Sequence, residues 1–101
     1  MEDKQARKGR ELDDPREYEK LTDHEKASLH RALMELVEPG QHILKGYTTY
    51  GLKHLLPMYI TNGCMKAACI AAGFRMADMG RTNWSLYARF TEAGARTVRA
   101  G

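Results

Sequence analysis

Glycine or proline interrupts the middle of the chain at Pro39, Gly40, Gly46, Gly51, Pro57, Gly63, Gly73 and Gly80. Proline removes a backbone donor and glycine weakens the interior of helices and strands, so each stretch between them has room for one short element. A chain punctuated in this way builds a small domain of short helices and strands around one core. Its 101 residues bound it to a single domain. With 43% hydrophobic and 29% charged residues, the composition is ordinary for a globular fold. No run of about 18 apolar residues is present, which excludes a membrane-spanning helix. The start, Met1-Glu2-Asp3-Lys4, lacks the apolar stretch of a secretory signal, so the expected location is the cytoplasm.

Residues 1–14 mix both charge signs around a single large apolar side chain, Leu12, and predict a flexible charged tail. Pro15 is suited to open a helical turn through Tyr18. Thr22-Asp23-His24-Glu25 is a capping-box sequence, and Leu29, Ala32, Leu33, Leu36 and Val37 follow on one helical face. Pro39-Gly40 is expected to stop this first helix. Gln41 to Tyr47 reads as a connector or brief edge strand. Thr48 or Thr49 caps a second helix with Leu52, Leu55 and Leu56 inward, ended by Pro57. Thr61 or Asn62 caps a third, with Met65, Ala68, Cys69 and Ala72 inward and Gly73 as its left-handed terminator.

Phe74 to Ala77 suggests a strand, and Asn83 to Phe90 alternates, with Trp84, Leu86, Ala88 and Phe90 on one face. That face should pack on Leu29, Leu33 and Leu36. From residue 94 onward the sequence predicts a frayed basic tail. This order gives an α+β domain over 15–93 resembling a winged helix-turn-helix, three helices plus a short β-hairpin.

At Tyr50-Gly51-Leu52-Lys53-His54, Tyr59-Ile60-Thr61-Asn62-Gly63, Ala72-Gly73-Phe74 and Asn83-Trp84 the chain resembles short proteins carried by bacterial phages and conjugative elements. The similarity spans roughly residues 46–90. It implies a mobile-element origin and transfers no functional residue.

The formal charge of +3 is unevenly spread: residues 1–20 carry −1, residues 21–40 carry −2 and residues 41–101 carry +6. Such asymmetry is expected where one face meets a polyanion such as duplex DNA. Lys45, Lys53, Lys66, Arg75 and Arg81 are the candidate phosphate contacts, with Thr48, Thr49 and Asn62 at helix starts where free N–H groups favour anions. Asn62 is also a natural helix cap. The outer face of the third helix carries Gly63, Lys66, Ala67 and Ile70, a poor surface for reading base edges. It suits nucleic acid, a protein partner or plain burial. Ala67 and Ile70 define the alternative, an interface for an inhibitor or adaptor docking on a host nucleic-acid enzyme such as a CRISPR or restriction nuclease. A homodimer is a further option.

Tyr47, Tyr50, Tyr59 and Trp84 read as packing at the core edge rather than base-stacking platforms. Cys64 and Cys69 would point about 140° apart on a helix and share neither a metal nor a disulfide. No nucleophile elbow, phosphate-binding glycine loop or zinc motif occurs, so no catalytic residue, cofactor or metal is expected.

Overall fold

The computed structural model describes residues 12–100. A 3-10 helix at Pro15–Lys20 precedes α1 (Asp23–Leu36), β1 (Val37–Ile43), α2 (Thr49–Lys53), α3 (Asn62–Ala71), β2 (Met76–Ala77), β3 (Ser85–Phe90) and α4 (Glu92–Ala100). The strands form one antiparallel sheet in the order β1-β3-β2. The fold is a small α+β domain.

The local signals act as their chemistry requires. Thr22 accepts from the Glu25 amide at 3.1 Å, and Glu25 Oε1 accepts from the Thr22 amide at 2.8 Å, closing the capping box of α1. Leu29, Leu33 and Leu36 of α1 share the core with Leu86 and Ala88 of β3, as the alternation of 83–90 implies. At the end of α3 the Gly73 amide bonds to the Ile70 carbonyl and the Phe74 amide to that of Cys69. Gly73 has a φ of 91°, and this is a Schellman terminator.

Three expectations are corrected. First, α1 does not run to Pro39-Gly40. It ends at Leu36, and β1 starts at once and passes through both residues, pairing Val37 with Phe90 and Pro39 with Ala88. A proline is tolerated there because β1 is an edge strand with an irregularity between Pro39 and Ile43. The predicted hairpin, β2 with β3, is therefore one side of a three-stranded sheet, with β3 in the centre and β1 on its other edge.

Second, residues 94–101 are not a frayed tail over the part described. Thr91 caps α4, its hydroxyl accepting from the Gly94 amide at 2.9 Å, while its own amide donates to the Leu36 carbonyl at 3.1 Å. A Cβ on Gly94 would lie 1.9 Å from that carbonyl oxygen, so only glycine lets α4 seat on the end of α1.

Third, the predicted tail 1–14 is ordered at its end. Residues 12–14 lie against α3, where a Cβ on Gly63 would stand 2.0 Å from the Asp14 carbonyl oxygen. Residues 1–11 lie outside the described residues. No helix among those described is long and apolar enough to cross a membrane.

Candidate nucleic-acid interface

The eight candidate contact residues divide into two groups. Thr49, Asn62 and Lys66 are buried, each less than 5% exposed. The Thr49 hydroxyl donates to Asn62 Oδ1 at 2.9 Å and accepts from the Trp84 amide at 3.3 Å. The Asn62 amide nitrogen faces three acceptors: Asp13 Oδ1 and Asn83 Oδ1, both at 3.0 Å, and the Thr82 carbonyl at 3.1 Å. Two N–H groups are shared among them.

Lys66 Nζ donates to the Asp13 carbonyl at 2.9 Å and sits 4.8 Å above the Trp84 ring. Burial pushes the Lys66 ammonium below the usual lysine range, against the opposing pull of the Asp13 and Asp14 carboxylates. These three side chains are a polar knot tying α2, α3, the 82–84 loop and the 12–14 segment together. They are withdrawn from the surface, which corrects the expectation that Lys66 is exposed. Asn62 is not the cap either: Thr61 is, accepting from the Cys64 amide at 3.1 Å.

The reason lies upstream. The 3-10 helix and residues 12–14 cover the side of α3 carrying Gly63 and Lys66. Asp14 holds this segment in shape by accepting from the Arg16 amide at 2.9 Å and pairing with its guanidinium at 2.7 Å. The Arg16 side chain, followed by its backbone N–H, lowers the Asp14 carboxyl from 3.8 to about 2. Of the outer residues of α3, Ala67 is half-buried and Ile70 is 49% exposed.

The other candidates stay at the surface. Lys45 and Arg81 are exposed in turns, and Thr48 is half-buried at the start of α2 without a side-chain cap bond. Exposed Arg75 stacks on the Tyr87 ring at 3.9 Å. The Lys53 ammonium lies 5.4 Å from the Tyr50 ring centre and 5.1 Å from that of Tyr59. Tyr50 meets His54 edge to face at 4.7 Å.

Tyr59 is 80% exposed and Tyr50 49%, so neither is core-edge packing. Trp84 is buried as expected, and half-buried Tyr47 packs edge-on against Phe90 at 5.2 Å. The Tyr50–Lys53–His54–Tyr59 corner borders a cleft of about 380 Å³ that Asp13 and Asn62 also line. Arg81 stands next to Thr82, whose carbonyl is bonded to Asn62. The signal in the sequence was the pairing of two tyrosines with Lys53 across Pro57, a bend that returns Tyr59 towards α2.

Among the described residues no three His, Cys, Asp or Glu side chains converge to hold a metal. Burial raises the Cys69 thiol to about 12, which leaves it unreactive at neutral pH. No protein-family model, curated protein or solved structure matches the chain.

Proposed function

We propose that the protein is a small DNA-associated accessory or regulatory protein of a mobile element, a winged-helix-like domain that meets its target with surface cations rather than with the outer face of α3. One observation carries this reading. Among the described residues, Lys45, Lys53, Arg75 and Arg81 have no carboxylate partner, whereas Arg16, Lys20, Lys26, Arg89 and Arg96 each have one. Exposed Arg31 and Arg99 lack one as well, so the four surface cations named from the sequence belong to a wider unneutralised set, for which phosphate is a fitting partner. Such contacts position a protein on nucleic acid with little sequence selectivity.

Each neutralised phosphate releases condensed counterions, so log affinity falls with log salt at about 0.9 per contact. The test is fluorescence anisotropy with a labelled duplex across a salt series. Replacing Lys53 and Arg81 together by Ala should flatten the slope by roughly two units. Absence of binding to duplex and single-stranded DNA at low salt overturns the reading.

Ile70 favours a second reading. An exposed isoleucine beside Ala67 and Ala71 permits close approach of another backbone, as an inhibitor or adaptor on a host nucleic-acid enzyme would require. Ile70→Glu would then abolish partner capture while the Lys53/Arg81 double variant retains it.

A further inference from the structure

The cleft beside Lys53 has a more specific chemistry than a phosphate contact. We infer that it is a slot for one unpaired base carrying an exocyclic amine. This rests on the nucleic-acid reading and narrows it.

Three rings border the cleft: Tyr50, His54 and Tyr59. In a folded monomer an aromatic side chain earns its place by burial, yet Tyr59 stands 80% in solvent and no hydrogen bond among the described residues engages its hydroxyl. Lys53 holds both tyrosine rings from one side, which limits their freedom before any ligand arrives. Rings offered in this way stack nucleobases, and the same ammonium is placed to meet the phosphate attached to a stacked nucleoside. At about 380 Å³ the cleft lies at the lower end of ligand-site sizes, suited to one base and not to a paired duplex.

Asp13 supplies selectivity. One of its carboxylate oxygens accepts from Asn62, and no hydrogen bond among the described residues engages the other. A free carboxylate oxygen accepts an amino N–H from cytosine, adenine or guanine. Thymine presents carbonyl oxygens on either side of its single N–H and is repelled.

The experiment compares four forms of one labelled duplex: fully paired, with one extrahelical cytosine, with one extrahelical thymine, and with an abasic nucleotide at that position. The cytosine form should bind about five-fold or more tighter than each of the others, the scale of one stacked base. Tyr59→Ala, safe for folding because the side chain is so exposed, should erase that advantage. Equal affinity for all four overturns the slot and leaves the nucleic-acid reading in place. Equal tightening by cytosine and thymine overturns the role of Asp13, and with it the inference as stated. Failure to bind any of the four overturns both readings.

Discussion

Lys66 and Lys53 are both helical lysines, each close to an aromatic ring, and they have opposite fates. Lys66 is sealed under the 12–20 segment with a backbone carbonyl as its hydrogen-bond acceptor. Lys53 stays at the rim of a cleft, spread over two exposed tyrosines. What separates them is not their own helix but a segment about fifty residues away that covers one and not the other. A cation on the outward side of a helix becomes a contact residue only if nothing else in the chain occupies that side.

The contrast can be broken first at Asn62. Asn62→Ala removes the acceptor of the buried Thr49 hydroxyl and the donor to three oxygens, so urea unfolding should show a loss of about 3 kcal/mol. A change under about 0.5 kcal/mol, the usual range of surface substitutions, would mean that the knot is decorative.

Gly63→Ala drives a methyl into the Asp14 backbone and should cost about 1–3 kcal/mol, the usual penalty of overpacking. Hydrogen exchange locates the damage. The amides of Arg16 to Leu21 should lose protection before those of α1, and uniform loss would contradict the covering role of this segment.

Acid acts on the same segment through Asp14. Its carboxyl is held at about 2 in the folded chain against an ordinary 3.8, so its stabilising contribution is complete above 3.8 and disappears as pH falls through about 2. The stability difference between the native chain and Asp14→Asn should therefore shrink across that window. A constant difference would remove the Arg16 contact from the account.

The smallest effect belongs to the exposed corner. Tyr59→Ala and Lys53→Ala should each shift stability by less than about 0.5 kcal/mol while weakening DNA binding. A large loss of stability in either would place the corner with the knot.

The elements legible in the sequence were those whose determinants are local. The Thr22–Glu25 box, the Gly73 terminator and the alternation of 83–90 each depend on residues within a few positions. Gly63 reads as part of the outer face of a helix and Gly94 as a sign of fraying, because their real constraints are the carbonyls of Asp14 and Leu36, far away in the chain. Pro39-Gly40 reads as a stop until β3 is beside it to make β1 an edge. The candidate site divides in the same way. Lys45, Lys53, Arg75 and Arg81 could be named from charge alone. The burial of Thr49, Asn62 and Lys66 depends on Asp13 and the 82–84 loop, and the exposure of Tyr59 depends on the bend after Pro57. No periodicity records contacts of that kind.

On the proposed reading nucleic acid meets the α2 corner and the 81–83 loop, while the Gly63 and Lys66 side of α3 is covered by the 12–20 segment. An NMR titration of the labelled protein with a short DNA at low salt tests it most directly. The largest shifts should fall on Tyr50, Lys53, His54, Tyr59 and Arg81, with Ala67, Ile70 and Ala71 unmoved. Shifts centred on Ala67 to Ala71, with the tyrosines silent, would contradict it.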